Sequence, residues 1–320
     1  MNEVQLIDKF LKRLTKKKSS SQGLNDDIFF DKSNKLAVSV DTYVEKVHFP
    51  NFKAPDLVIK KILRSSLSDL ICKGVKPKYY FISASGNSKS FSNKNLKKIS
   101  NSLSLEQKKF DIELSGGDTV YSNTNSFTCC VIGFSNKIVK RHNSMIGDDI
   151  YITGHLGDSF MGLQILKKKI SVPKLLKNYF ISKFYMPSIN LKMVNFLQKF
   201  ANTSIDISDG LLIDLKKMIR QQKHGFLIKL DDIKLSNQLK KVLSRNKRYK
   251  VENTVFNGDD YEIIFTSHKK NRSLIDKYAK NKKLKIQRIG KIIKKHQDSH
   301  ILKGNKKFRI NKNLGYTHQF

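Results

Sequence analysis

Hydrophobic positions along this chain switch between two spacings, one suited to helices and one to strands. Val4, Leu6, Ile7, Phe10, Leu11 and Leu14 recur at helical spacing and predict an amphipathic helix over residues 2–14. The stretch TKKKSSSQGLNDD that follows is polar, serine-rich and basic, which predicts a loop ending at Asp26 and Asp27. Alternation over Leu36–Val40 predicts a strand with Asp41 at its carboxyl end and Ser39 on the same face. From Asp56 to Gly74 the apolar residues return to helical spacing, with Ser68 and Asp69 embedded among leucines. VKPKYYFISASG reads as a second strand and residues 92–109 as a basic helix. DIELSGGDTV should run from a strand into a turn at Gly116 and Gly117, and NSFTCCVIGF should be a buried strand.

A change of pattern near Gly147 suggests a domain boundary, giving domains 1–147 and 148–320. Beyond it the pattern predicts a strand at Ile150–Thr153, helices around 158–168 and 173–198, and a strand in HGFLIKLDDI. Further on come a strand at Tyr261–Phe265, a helix near 270–281, a strand in KIQRIGKII and a basic tail ending GYTHQF. Within this half, SIDISDGLLIDL holds the most informative pattern. Asp206 and Ser208 share one side of a short strand end, and Leu211, Leu212, Leu215, Met218 and Ile219 follow at helical spacing. Asp209 therefore sits near a helix start. There it is either an ordinary cap and turn residue or one of a group of oxygen ligands for a hard cation.

The chain has 320 residues, 39% of them hydrophobic, enough for two domains with cores of their own. Its 62 Lys and Arg against 27 Asp and Glu give a formal charge of +35. The lysines are spread throughout, and no nucleic-acid-binding motif or basic amphipathic helix with an aromatic face accompanies them, so neither a specific nucleic acid nor a membrane is expected as partner. Cys72, Cys129 and Cys130 lack zinc spacing and read as reduced thiols. No apolar run approaches the ~20 residues needed to span a bilayer, and a cytoplasmic protein is expected.

With acids so scarce, their positions carry weight. Asp27, Asp41, Asp69, Asp118, Asp206 and Asp209 all fall at expected strand ends, at turns or within an apolar helix. Brought together without compensation they would repel one another and take up protons. Divalent cations remove that difficulty, and magnesium favours a few carboxylates together with water and substrate phosphates. Glycine turns and basic groups complete the parts needed for phosphoryl transfer, while neither a Walker motif nor a kinase catalytic loop is present.

These residues fall in blocks that resemble the thiamine-monophosphate kinase family, of the superfamily that also contains aminoimidazole ribonucleotide synthetase. The blocks are NDD at 25–27, SVDTYVEKVHF at 39–49, SLSDLICKGVKP at 66–77, SGGDT at 115–119, Arg141 with GDDIYITGHLG, DISDGLLIDL at 206–215 and NGDDYEIIF at 257–265. The resemblance implies a two-domain α/β (α+β) fold whose amino-terminal sheets pair across a homodimer. It implies transfer of the ATP γ-phosphoryl group to thiamine monophosphate, with magnesium. Asp27, Ser39, Val40, Asp41, Asp69, Asp118, Asp206 and Asp209 are the implied magnesium ligands. Gly117, Asp118, Arg141 and Ser208 are implied at ATP; His48, Asp259, Asp260 and Tyr316 at the thiamine moiety; and Asp209 and Arg141 in catalysis. The chain departs from the family pattern at Asn25, Lys46 and Asn257, which replace glycines, and at Asp259, which replaces Glu; Asn tolerates positive φ best, and Lys has no such latitude. Within the superfamily, a selenophosphate synthetase would need a reactive Cys near the amino terminus, and none precedes Cys72. A nucleic-acid-binding protein using the positive charge is the rival from another class.

Overall fold

The computed structural model describes residues 1–15, 20–295, 299–308 and 315–320; positions 16–19 of the basic loop and 309–314 of the tail lie outside the described residues. The amino-terminal helix is short. Helix α1 (Glu3–Leu6) passes into a π turn and a 3-10 turn, and Phe10, Leu11 and Leu14 remain exposed. The apolar face expected over 2–14 is therefore not buried in a core, although Val4 and Ile7 line a cavity described below.

Strands β1 (Phe29–Asp31), β2 (Leu36–Val44), β3 (Lys76–Gly86), β4 (Glu113–Tyr121) and β5 (Ser126–Phe134) form one sheet in the order β1-β2-β5-β3-β4. Two long helices belong to this half, α2 (Pro55–Cys72) and α3 (Asn93–Phe110). Strand β2 runs past the expected end, so Asp41 lies within it, opposite Cys129 of β5. Gly116 and Gly117 make no turn. Their φ angles of 153° and 159° are nearly extended, and both pair with β3. A Cβ on Gly117 would stand 1.9 Å from the Ile82 carbonyl oxygen, so the glycine serves close strand approach beside the β3 bulge.

The second half supplies β6 (Asp149–Thr153), α4 (Asp158–Leu166), α5 (Lys174–Tyr185), α6 (Lys192–Phe200), β7 (Thr203–Asp206), α7 (Leu211–Ile219), β8 (His224–Lys229), α8 (Asn237–Arg245), α9 (Val251–Val255), β9 (Ile263–Ser267), α10 (Arg272–Lys282), β10 (Ile286–Lys294), β11 (His300–Lys303) and β12 (Lys306–Phe308). Its strands form a sheet in the order β12-β11-β8-β10-β6-β9-β7. The single helix expected over 173–198 is two, broken around Pro187, whose ring cannot continue a helix. Helices α8 and α9 had no anticipated counterpart, because Asn237–Arg245 is dominated by polar residues.

The two sheets fall on either side of Gly147, but the apolar core does not divide there. One cluster joins α2 and the first sheet to Phe184, Phe196, Leu197, Phe200 and Phe265 of the second half. Helix α2 is the reason. It packs on α3, β2, β3 and β5 on one side and on α5, α6 and β7 on the other. A helix covered on both sides is buried nearly all round, as this one is, with Lys61, Arg64, Ser65, Ser66 and Ser68 buried among its apolar residues.

Its few buried polar groups are all paired. The Arg64 guanidinium makes a two-pronged contact with Glu106 of α3, at 2.7 and 2.9 Å, and donates to the Pro187 carbonyl at 3.1 Å. Removing one partner of a buried ion pair strands the other charge. Arg64→Ala should lower the unfolding free energy by about 3–5 kcal/mol in a denaturant titration. A loss under about 1 kcal/mol, the range of surface pairs, would show that the contact carries no such burden.

Candidate active site

Five loops and both chain ends converge on one cavity of about 640 Å³ at the carboxyl end of α2. Asp26 and Asp27 precede β1, Asp41 lies on β2, Asp69 lies in the last turn of α2, and Asp206 ends β7. Carboxylate oxygens of Asp27, Asp69 and Asp206 lie within 4.8 Å of one another. Asp41, Ser208, Asp209, Arg141, Val40, His48, Asp259 and Tyr316 line the same cavity. Ser39 sits just behind, its hydroxyl bonded to Asp69. Residues nearly 180 positions apart in sequence thus meet at one point.

Burial governs the electrostatics of this group. It raises Asp41 above the ordinary carboxylate range, and Tyr43 Oη donates to Asp41 Oδ2 at 3.2 Å. Asp69 stands well above that range, through burial first and then the charges of Asp41 and Asp206. Asp206 is pushed up to about 6, by burial and by Asp41, against the Ser68 hydroxyl bond and the pull of Arg141 and Lys73. Asp69 also lies where the α2 dipole presents its negative end, which adds to the cost of a carboxylate there. Among the described residues, no Lys, Arg or His forms an ion pair with Asp41, Asp69 or Asp206; hydroxyl groups are their partners. Such an all-oxygen donor set, anionic and short of cations, fits a hard divalent ion.

The start of α7 behaves differently from a simple cap. Asp214, not Asp209, accepts from the backbone amides of Asp209 (3.0 Å) and Gly210 (2.9 Å). The Asp209 carboxylate is left to face the cavity and pairs with Lys217. Burial works against the Lys217 ammonium, but Asp209 and Asp214 raise it overall. Gly210, at φ 126°, permits this turn, since a Cβ there would lie 2.1 Å from the Phe256 carbonyl oxygen. That contact and the amide of Asp259 donating to the Ser208 carbonyl at 2.8 Å clip the DISDG and NGDDYE blocks together.

At the other end of the cavity, His48 accepts the Val44 amide at Nδ1 (2.9 Å), which leaves the proton on Nε2. Its ring stands 5.6 Å from Tyr43 and 5.5 Å from His318, and His318 in turn stands 4.8 Å from Tyr316. The Tyr316 amide donates to the Asp209 carbonyl at 2.9 Å, which draws the carboxyl-terminal tail over the cavity. Asp259 is held by the buried Lys61 at 2.6 Å, and that ammonium also lies 4.0 Å from the Phe184 ring centroid.

Three expected residues do not join the cavity. Asp260 is buried and accepts the amides of Gly157 (2.8 Å) and Ser159 (3.3 Å), so it fastens the loop into α4. Gly117 and Asp118 lie on β4, three strands from β2 along the row Thr42–Thr128–Ser83–Asp118, or about 14 Å at the usual strand spacing. Asp118, Thr42 and Ser83 are exposed on the sheet face away from α2. The pattern reading missed Lys61, Lys73, Lys217, Asp26, Asp214 and His318. A lysine inside the apolar run of α2 was the available signal for Lys61 and Lys73, and it is weak in a chain with lysine everywhere. The glycine replacements also resolve differently from expectation. Asn25 has φ −115° and Asn257 is not among the positive-φ residues, whereas Lys46 (69°) and Asp259 (71°) are.

Residues 25–135 match the family profile described as AIR synthase related protein, N-terminal domain. The thiamine-monophosphate kinase of Buchnera aphidicola subsp. Schizaphis graminum is 36% identical over 329 aligned positions, covering 99% of this chain and 98% of the relative. The chain belongs to the thiamine-monophosphate kinase family. A second relative of that name, from Buchnera aphidicola subsp. Acyrthosiphon pisum, is 35% identical over 99% of this chain and 98% of its own length. Among solved structures, AaThiL complexed with AMPPCP and TMP superposes with a TM-score of 0.85 at 26% identity, covering 99% of this chain and 97% of that one. The aminoimidazole ribonucleotide synthetase-like α/β fold expected from the sequence is thus the fold observed.

In the family's acidic block here, Glu262 turns away from the cavity. It accepts the Thr153 hydroxyl, and burial pushes it up to about 7 from 4.5. A carboxyl whose folded value is raised binds its proton more tightly when folded, so its contribution to stability falls as pH rises from about 4.5 through 7. Glu262→Gln should therefore gain stability relative to the parent at pH 8 over pH 5, by about 2 kcal/mol in chemical denaturation. A difference that stays flat between the two pH values removes the assignment.

Proposed function

We propose that this chain transfers the γ-phosphoryl group of ATP to thiamine monophosphate, giving thiamine diphosphate and ADP. The observation that carries the reading is the meeting of Asp27, Asp69 and Asp206, from three separate segments, in one cavity with Arg141 and the start of α7. The family membership supports it. So do the names of the relatives, and the AMPPCP and TMP bound in the structural neighbour.

No protein nucleophile is needed, because a phosphate oxygen of the acceptor forms the new P–O bond as ADP leaves with the old one. The demand on the protein is to bring two anions together. Magnesium, held by Asp41, Asp69, Asp206 and Asp209 with Asp27, Ser39 and Val40 beside them, would supply charge neutralisation on the phosphates. Arg141 and the Ser208 hydroxyl hold phosphate oxygens. His48, Asp259 and Tyr316 present acidic and aromatic groups suited to the cationic thiazolium; Asp260 acts only by fixing the adjacent loop. We read residues 1–147 as the ATP-binding and dimerisation domain and 148–320 as the domain closing the cleft, in a cytoplasmic enzyme.

Gly117 and Asp118 fit this reading if a second copy covers the sheet. Strand β4 is an edge strand exposed along its whole length, with Leu114, Val120 and Tyr121 open to solvent, and Val40 on β2 is 62% exposed. A long edge of that kind is a site for pairing with another chain. A homodimer formed by the two amino-terminal sheets would bury it and bring Asp118 to a shared boundary. Sedimentation should give twice the chain mass; a monomer at micromolar concentration would leave Gly117 and Asp118 without a role.

The deciding assay combines purified protein, ATP and magnesium with thiamine monophosphate, free thiamine or an aminoimidazole precursor. Thiamine diphosphate should form from the first alone. Asp209→Asn should lower kcat by at least ~100-fold, with an unchanged thermal transition, because Asp214 rather than Asp209 caps the turn. Turnover within a few fold of the parent would take Asp209 out of the catalytic group. Steeply salt-dependent nucleic-acid binding without ATP turnover would replace the reading altogether.

A further inference from the structure

The aspartates of the cavity are not all in the same electrostatic state, and one buried lysine divides them. Lys73 caps the carboxyl end of α2 and is fully buried. Its Nζ lies 2.9 Å from Asp26 Oδ1, 2.6 Å from Asp27 Oδ2 and 2.6 Å from the Ser204 carbonyl oxygen. An ammonium has three donors, and all three are used. Three oxygens, two of them anionic, surround the nitrogen much as oxygen ligands surround a small cation. Arg141 reaches the same group from the other side: its side chain pairs with Asp27, and its amide donates to Asp26 Oδ2 at 2.9 Å. Asp26 and Asp27 together carry two negative charges, and Lys73 and Arg141 supply two positive ones.

Asp41, Asp69 and Asp206 have no such partner among the described residues; hydroxyls of Tyr43, Ser39 and Ser68 bond to them instead. Among the described residues, these three carboxylates have no protein cation in direct contact. The α2 dipole makes the same distinction, since its negative end favours the Lys73 ammonium and disfavours Asp69.

We propose that the Lys73 ammonium permanently fills one cation position of the aspartate group. Asp26 and Asp27 then need no divalent ion, and divalent ions go to Asp41, Asp69 and Asp206. The family resemblance makes Asp27 a metal ligand in its own right; in this chain its oxygens are occupied by Lys73 and Arg141. Lys73 is thus a positioning residue that sets how many divalent ions the site takes. The inference rests on the metal-binding part of the proposed function, and its test is direct metal counting rather than turnover.

Manganese(II) accepts the same carboxylate and water ligands as magnesium and can be counted by electron paramagnetic resonance. The parent and Lys73→Met are titrated with manganese chloride in the absence of nucleotide, and their thermal transitions are recorded with and without the metal. Lys73→Met keeps the apolar stem of the side chain and removes the ammonium with its charge. It should bind one more manganese ion per chain than the parent, and its transition should rise more on adding the metal. A variant that folds only when manganese is supplied supports the proposal in the same way. Equal counts and equal metal-induced shifts overturn it while leaving the metal reading of the site intact. A variant that stays unfolded at saturating manganese also overturns it, because the ammonium is then not replaceable by an ion. No manganese bound to either protein removes the metal reading, and this inference with it.

Discussion

The structure is arranged around the cost of holding several carboxylates together away from water. An isolated buried carboxylate costs several kcal/mol, and neighbours of the same sign add to that. Asp41, Asp69 and Asp206 share one such region, and burial raises all three. Helix α2 makes the arrangement obligatory. Its apolar sides are needed by both halves of the molecule, so its last turn, with Asp69 and Lys73, can end only where those halves meet. The acidic site is a by-product of where the core must put that helix end, and hydroxyls and cations are disposed around it accordingly.

From this follows a division of labour along the cavity. The Asp26–Asp27 side is neutralised by the chain's own cations, Lys73 and Arg141. At the start of α7, Asp214 takes over the capping of the turn and leaves the Asp209 carboxylate to Lys217 and the cavity. The far end is aromatic, with Tyr43, His48, His318 and Tyr316 in sequence. An anionic ligand end would need divalent ions on Asp41, Asp69 and Asp206, whereas a cationic ring would meet the aromatic groups at the far end directly. Most of the chain's 62 basic residues play no part in this; the few buried ones are matched individually, as Lys61 is to Asp259 and Arg64 to Glu106.

How much of this was legible in the sequence depended on whether the signal was local. Alternation and helical spacing located α2, β3, α3, β5 and the strand–turn–helix around Asp206 within a few residues, because one buried face per element leaves a plain pattern. Gly116 and Gly117 were misread as a turn, because a glycine needed for close strand approach looks identical in sequence to one needed for a bend. The break at Pro187 was overlooked within a long apolar pattern. Scarcity of acids pointed to the site, since six aspartates in apolar or glycine-rich surroundings stood out in a lysine-rich chain. Scarcity could not say which aspartate does what. Asp260 fits the same description as Asp259 and yet fastens a loop, and Asp118 falls on the far face of a sheet, both consequences of tertiary placement. Abundance concealed the cations for the same reason: Lys73 and Lys61 are ordinary letters in this composition.

Backbone strain marks the same region independently of charge. Leu24, His142, Asp259 and Tyr261, all lining the cavity, have positive φ, and so does Lys46, two residues from His48. Each such residue costs on the order of 1–2 kcal/mol relative to an ordinary conformation, and it persists only where its surroundings hold it. At Lys46 the chain keeps the left-handed conformation with a lysine at a position where the family resemblance implies glycine. The backbone path near His48 must therefore be worth more to the site than the strain it stores. At Asp259 the conformation is fixed by the amide bond to Ser208 and the ion pair to Lys61. Four of the ten described non-glycine residues with positive φ thus line the cavity that holds the carboxylates without paired cations, and the rest lie in turns and helix ends elsewhere or, like Lys46, close by. The carboxylates are the costlier of the two, and they would not survive there if stability alone had shaped these loops.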